Sequence, residues 1–476
     1  MNLSHNPPGV SAIDSGLFRD IFGTAEMRAV FDEDALIDAY IAVEKALARA
    51  EAATGVIPAE AARDIDARAS IAMIDREQLR RDTLNVGYPI LPLVSQLSRQ
   101  LGDAGRYLHW GATTQDIMDT AAVLQIRSAL VLVERDLDAV RAIVASLAQR
   151  YRDTPMAGRT HLQQALPITF GFKAAVWLSS LDRHAERLRQ IEARVLVAEF
   201  GGAVGTLASL GAEGLRVHDA FAAELGLAPA PIAWHVARDG FAETVQFLAL
   251  LAGTLGKIGT DVMLMAATEV GEVREPFAEG RGASSTMPQK RNPISSEIMI
   301  AAARGVAAHA GAMLDAMVQD HERATGPWHL EWLAMPNAFV LAAGALAQAR
   351  FMLGGLVVDE ARMARNLGLT GGLIVAEAVM MGLAPFLGRQ AAHEAVYAAC
   401  REAEESGRPL AEVLAASPEI AAHLSSERIR SLTDPANYLG SAAAAVDRQL
   451  GGRLARGEAR SPAIKRDEPL TVPREE

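Results

Sequence analysis

Apolar residues along the chain recur every three or four positions, the spacing of one face of an α-helix, and runs of strict apolar–polar alternation joined by hairpin turns are scarce. The pattern predicts an all-α protein. Over 34–53, Leu36, Tyr40, Val43, Leu47 and Ala50 form such a stripe, with Asp32 or Asp34 as N-cap and Gly55 as stop, and one face is expected to pack inward. Longer helices are predicted at 120–152, 168–198, 240–267 and 295–319. In the third of these, Val245, Leu248, Ala252, Leu255, Gly259 and Val262 make one stripe whose small members permit close helix contact. Helices of roughly 25 to 30 residues span about 40 Å at 1.5 Å per residue, more than a small domain needs, and point to a long bundle through which chains associate. Gly354-Gly355 and the β-branched Val357-Val358 break the pattern, and shorter helices follow over 359–450. The expected organisation is an N-terminal helical domain over 1–112, a central long-helix bundle over 113–355 and a C-terminal helical domain over 356–450. A tail over 451–476, mixing Arg, Glu and Pro with few apolar anchors, is expected to be disordered.

Composition narrows the function. The chain has 476 residues, 50% of them hydrophobic, enough for two or three domains with a sizeable core. A formal net charge of -12 argues against a nucleic-acid scaffold or a binder of anionic membranes, so any anionic substrate must meet local positive charge. The most apolar window, 247–267, contains Lys257 and Asp261, which are costly in lipid, and reads as a buried bundle helix rather than a membrane span. One cysteine, Cys400, excludes an internal disulfide framework and fits a reducing cytoplasm. Residues 1–15 lack the basic-then-apolar pattern of a secretory signal, and a cytoplasmic location is expected. Gly201-Gly-Ala-Val-Gly205 is flanked by helical segments rather than set in a βαβ unit, which argues against a dinucleotide loop. His321-Glu322 lacks a second histidine at zincin spacing and no Gly-x-Ser-x-Gly elbow occurs.

The segment Gly282-Ala-Ser-Ser-Thr-Met-Pro-Gln-Lys-Arg-Asn-Pro293 carries the most chemistry. Gly280 and Gly282 permit backbone excursions, the serines supply proton-transfer candidates, Lys290 and Asn292 can hold a carboxylate, and Pro288 and Pro293 fix the exit. This segment resembles the signature of the fumarase/aspartase superfamily, Gly-Ser-Ser-x-Met-Pro-x-Lys-x-Asn-Pro, departing from it only at Ala283. The register of the resemblance lands the catalytic serine on Ser284, with Ser285 as fallback. Two further segments are similar to superfamily regions that meet the serine loop from neighbouring subunits. In Tyr107-Leu-His-Trp-Gly-Ala-Thr-Thr-Gln-Asp-Ile-Met-Asp-Thr120, the resemblance makes Thr113 and Thr114 carboxylate binders and His109 a candidate acid. In Gly158-Arg-Thr-His-Leu-Gln-Gln-Ala-Leu-Pro167, it makes His161 the acid/base-associated histidine and Thr160 a substrate contact. Glu297 matches the carboxylate that orients the catalytic histidine, and Arg323 lies in His321-Glu-Arg323, another shared stretch. The resemblance further implies a three-domain fold, a homotetramer with sites built from three chains, a small dicarboxylate or tricarboxylate substrate, and no metal or organic cofactor.

These residue types suit one reaction. Removing a proton beside a carboxylate makes a carbanion whose charge spreads into an aci-carboxylate, so the site needs a strong base and preorganised donors. A serine serves as base only where amides and cations favour its alkoxide in a closed, dry site. The resemblance spans about 17–450 and is nearest to bacterial 3-carboxy-cis,cis-muconate cycloisomerases, through Val43-Glu-Lys-Ala-Leu-Ala-Arg-Ala-Glu51, Trp328-His-Leu-Glu-Trp332 and Asp434-Pro-Ala-Asn-Tyr-Leu-Gly440. Adenylosuccinate lyase is disfavoured, because Ile21-Phe22 and Trp328-His-Leu-Glu-Trp332 stand where that enzyme's phosphate contacts fall. Those cycloisomerases typically have tryptophan in place of His161 and alanine in place of Glu297. The retained His–Glu pair favours a lyase that protonates a nitrogen leaving group and releases fumarate from a substituted succinate. Lactone-forming cycloisomerase is the alternative, and a catalytically silent binding homologue is the alternative of another class. Trp110, Trp328, His329 and Trp332 are candidates to shape the leaving-group pocket, or else packing aromatics.

Overall fold

The computed structural model describes residues 9–323 and 325–457. Its framework is a set of long helices: α1 (Glu33–Ala53), α2 (Thr114–Arg150), α3 (Phe170–Val195), α4 (Asp239–Ala266), α5 (Ile294–Ala316) and α6 (Pro327–Gly354). The shorter helices α7 (Glu360–Leu367), α8 (Ala376–Leu387), α9 (Arg389–Ser406) and α10 (Ala442–Gly457) follow, with still shorter helical segments at Leu410–Ala416, Pro418–Ala421 and Ser426–Leu432 before the last of them. At 37 residues, α2 reaches about 55 Å, which sets the length of the bundle.

The stripe on α4 packs as its period predicts. Val245, Leu248, Ala252, Leu255 and Val262 are fully buried, and a methyl group added at Gly256 or Gly259 would run into α5, 2.8 Å from the Ala303 side chain or 3.0 Å from the Ser296 carbonyl. Helix α1 starts at one of its two expected caps but buries more than the one face expected. Asp32, not Asp34, caps it by accepting the Ala35 N–H, and it is buried on more than one face, because Ile37, Ile41 and Ala48 are sealed as well as Tyr40, Val43 and Leu47. Helix α6 was not among the predicted long helices, since it is apolar nearly all round and shows no stripe. Both α4 and α6 are long and apolar enough to cross a membrane, yet half or more of each apolar stretch is covered within the bundle.

Two small sheets correct the all-helical pattern locally. Strands β1 (Pro155–Thr160) and β2 (Gln163–Thr169) pair antiparallel, so the helix expected from 168 begins only at Phe170, where Thr169 caps it through the Phe172 N–H. The helix expected from 120 begins six residues earlier, at Thr114. Val273–Arg274 (β3) pairs with Val357–Val358 (β4), giving the β-branched interruption after α6 a partner. One large core joins α1 to α6, and a smaller one, with Val379, Leu383, Val396, Leu410, Leu414 and Ile429, lies within the C-terminal helices. Of the tail expected to be disordered, 451–457 continue α10 and the remainder lies outside the described residues.

Candidate active site

The serine loop is a pinched loop between β3 and α5. Asn292 donates its N–H to the Gly282 carbonyl at 3.0 Å, and Ala283 bridges Arg291. Gly282 has φ +70, and a side chain there would meet the Asn292 carbonyl at 2.6 Å, so only glycine closes the loop. Its far end is fixed to the bundle. The Glu275 carboxylate accepts the N–H groups of Ser295 (3.1 Å) and Ser296 (2.8 Å) at the start of α5, and Arg281 donates to Ser295 Oγ (2.7 Å) and Gln348 Oε1 (2.6 Å). Carboxylate at a helix N-terminus is where unpaired amides and the helix dipole favour it. Within the loop, Ser284 Oγ accepts the N–H groups of Met287 (3.1 Å) and Thr286 (3.3 Å). Ser285, Lys290 and Glu297 are exposed, and the side chains of Lys290, Asn292 and Glu297 make no hydrogen bond among the described residues.

His161 stands elsewhere, at the tip of the β1–β2 hairpin. Thr160 pairs with Gln163, leaving His161 (φ +53) and Leu162 (φ +61) as the two turn residues. Two left-handed positions match the twist of a tight hairpin but cost L-residues roughly 1–2 kcal/mol each. Both residues are exposed, and among the described residues of one chain no hydrogen bond or ion pair joins His161 to Glu297. The hairpin's base is bolted down: Arg159 forms a bidentate pair with the sealed carboxylate of Glu272 (2.7 and 2.8 Å), which also accepts the Asn366 amide at 2.8 Å.

The third motif forms a preassembled cluster. Thr113 caps α2, and the Arg323 guanidinium donates to its hydroxyl, joining two expected substrate contacts within one chain. Thr114 begins the helix behind it. His109, at φ +60, places Nδ1 2.6 Å from Glu44 Oε1 on α1. Burial opposes its positive charge, but the attraction of Glu44, the hydrogen bond between them and, further off, Asp116 hold its pKa above the usual imidazole range. Among the described residues five non-glycines have positive φ, and three are His109, His161 and His321; such strain concentrates at functional sites.

Beneath Thr113, Asp116 accepts the N–H groups of Thr113 (2.8 Å), Gly201 (2.9 Å) and Gly202 (3.0 Å) and meets His235 Nε2 at 2.7 Å. The Gly201–Gly205 stretch thus wraps a carboxylate rather than a phosphate. Asp116, Glu199 and His235 lie close enough to hold a metal ion, but the Asp116 oxygens are already engaged, which makes the group a structural hub. Burial, opposed by His235 and reinforced by Asp116, pushes Glu199 up to about 8. Deeper still, Arg238 joins Asp119 (2.6 and 3.0 Å) to Glu331 (2.5 and 2.9 Å), and Trp328 Nε1 donates to Asp119 at 3.0 Å. Trp328 is therefore a sealed anchor, ringed by Tyr88, His329 and Trp332, whereas Trp110 is partly exposed. Sequence reading missed Glu44, Glu272 and Arg238. A signal existed for Glu44, a carboxylate set among the apolar positions of α1.

The pattern of the family described as "Lyase" matches residues 22–308, and that of "Adenylosuccinate lyase C-terminus" matches 372–449. The chain is 49% identical to trans-aconitate decarboxylase 1 of Mycosarcoma maydis over 92% of its length and 89% of that protein. It is 48% identical to the 3-carboxy-cis,cis-muconate cycloisomerase of Pseudomonas aeruginosa, covering 94% of this chain and 98% of the other. The crystal structure of a fumarate lyase from Mesorhizobium sp. BNC1 superimposes with a TM-score of 0.86 at 56% identity, covering 91% of this chain and 99% of that one. With the lyase pattern spanning more than half its length and relatives near half identity along nine-tenths of it, this chain belongs to the fumarase/aspartase superfamily and is an enzyme of it.

Proposed function

We propose that the protein abstracts a proton beside a substrate carboxylate and eliminates an amine or related nitrogen leaving group from a substituted succinate, releasing fumarate. The observation that carries this reading is the environment of Ser284, whose Oγ accepts two backbone N–H groups inside a loop clamped at both ends. Amide dipoles aimed at that oxygen lower the cost of an alkoxide and so suit it as the base. Thr113, Thr114 and Arg323 take one carboxylate, and Lys290, Asn292 and Thr160 complete the binding of the dianion. The departing nitrogen takes its proton from His161, oriented by Glu297, or from His109.

In this reading the working unit is a homotetramer in the cytoplasm, needing no metal or organic cofactor, in which His161 acts across a subunit boundary. The exposed, strained hairpin tip supports that assignment: Leu162 and Leu166 are uncovered beside His161, as expected of a tip that a second chain covers. The second reading is lactonisation of 3-carboxymuconate, favoured by the full-length similarity to the Pseudomonas aeruginosa enzyme.

The test follows fumarate absorbance while purified protein meets N-substituted aspartates, nitrosuccinate, argininosuccinate and adenylosuccinate, with 3-carboxymuconate and trans-aconitate assayed in parallel. Fumarate release abolished by Ser284→Ala and strongly reduced by His161→Asn, with assembly unchanged, is the expected result. Turnover of 3-carboxymuconate or trans-aconitate alone would refute the nitrogen-elimination reading, and full activity of Ser284→Ala would refute the base.

A further inference from the structure

Helix α1 carries two carboxylates on a face where its packing is otherwise apolar. Glu44 and Glu51 are seven residues apart, two turns of helix, so both point to the same side. Both side chains are sealed from solvent. Glu44 Oε1 meets His109 Nδ1, while Glu44 Oε2 and both carboxylate oxygens of Glu51 have no hydrogen-bond partner among the described residues. A buried carboxylate with one partner depends on that partner, because an unpaired charge in the interior costs several kcal/mol.

We infer that Glu44 is a positioning residue for His109: by accepting the Nδ1 proton it fixes the ring's tautomer and orientation, steadies the imidazolium, and leaves Nε2–H as a charged donor for the substrate held at Thr113 and Arg323. The inference rests on the active site proposed above and deepens it. His109 lies four residues before Thr113 on one short connection, and its left-handed backbone conformation is held in place by that connection and by Glu44. Its side chain remains 21% exposed, so the ring is not sealed off like its partner. Histidine–carboxylate pairs of this kind assign the proton-carrying nitrogen by occupying the other one.

The ionisable groups that act on the ring are Glu44 from α1 and, more weakly, Asp116 from α2. Glu51 sits one step behind. Burial first, then the charge of Glu44, pushes its carboxyl up to about 9, so near neutral pH it adds no second negative charge to the pair. The cation on His109 is therefore set chiefly by Glu44.

The test measures hydrogen–deuterium exchange at the imidazole C2 position of His109 by mass spectrometry across pH 5–9, a range chosen around the usual histidine value, on the full chain of wild type, Glu44→Gln and Glu44→Asp. Wild type should titrate above the other two. Loss of the charge in Glu44→Gln should lower the midpoint by about one unit or more, the scale of an opposite charge at hydrogen-bond distance, and Glu44→Asp should fall between. With whichever substrate of the panel releases fumarate, the pH limb of kcat should move by the same amount in Glu44→Gln while KM changes little. An unchanged His109 midpoint in Glu44→Gln, or a Glu44→Asp midpoint no higher than that of Glu44→Gln, overturns the inference. If wild type releases fumarate from no substrate, the proposed function fails, and the exchange measurement still decides the role of Glu44.

Discussion

Replacing Glu272 by Gln should loosen the hairpin that carries Thr160 and His161. In the wild-type chain Glu272 Oε1 accepts from Arg159 Nη2 and Asn366 Nδ2, and Oε2 accepts from Arg159 Nη1, so three donors converge on two oxygens. A glutamine amide cannot serve them all. Turned so that its oxygen replaces Oε1, it sets its NH2 against Arg159 Nη1; turned the other way, it opposes two donors. The lesser conflict removes one charge-assisted hydrogen bond, worth about 1.5–3 kcal/mol, and deprives Arg159 of its counter-charge. Breaking a fully buried ion pair costs about 3–5 kcal/mol. Arg159 retains 24% of its side-chain exposure and can recover some hydration, which places the expected loss at about 2–4 kcal/mol. Urea unfolding followed by far-ultraviolet circular dichroism should show the midpoint falling by roughly 1 M, taking a slope of about 3 kcal/mol per molar. In the proposed reaction the hairpin tip supplies a proton-transfer group, so turnover should fall more than substrate affinity. A double variant with Arg159→Gln should cost less than the sum of the single changes. Strict additivity, or a midpoint and kcat both unmoved, would refute the idea that this pair holds the hairpin.

Arg238→Met leaves Asp119 and Glu331 facing each other without their shared cation, and should cost about 3–5 kcal/mol, read as an earlier unfolding transition in the fluorescence of Trp328, which is bonded to Asp119. Glu51→Gln should change stability in a pH-dependent way. The folded-state pKa is about 9 against a usual value near 4.5, so wild type loses stability as pH rises between those values. The variant should gain on wild type over that window by up to about 1.4 kcal/mol per pH unit, checked by thermal unfolding at pH 5, 7 and 9. Gly282→Ala must adopt φ +70 with a methyl group 2.6 Å from the Asn292 carbonyl. Turnover should be lost while the unfolding temperature barely changes, since the strain falls on a peripheral loop rather than the bundle.

Much of this protein was legible without coordinates. The stripe on α4, the cap at Asp32, the stop near Gly55 and the glycine freedom at Gly282 all follow from local rules, because helix period, capping and positive φ depend on residues within a few positions of one another. The three motifs were readable for the same reason, each being a contiguous string whose chemistry is carried by residue type. Local rules misled where a feature lacked a stripe or a period: α6 is apolar nearly all round, and the β1–β2 hairpin is held by Arg159 against Glu272, a partner far along the chain.

What only the tertiary structure decided is which charged groups meet. Glu44 and His109 are separated by 65 residues, Arg159 and Glu272 by 113, and Thr113 and Arg323 by 210, and no periodicity links such positions. The resemblance pairs His161 with Glu297, and the proposed function keeps that pair across a subunit boundary. Within one chain, folding gives His109 the carboxylate of Glu44, which no motif pointed to, and leaves His161 exposed on a turn. The sequence by itself determined the class of helices, the glycines that bend the loop and the residue types available for proton transfer. The packing of distant helices determined their partners, because the energy of a buried charge depends on which group the fold brings to within hydrogen-bond distance of it, a property of the whole chain and not of any segment.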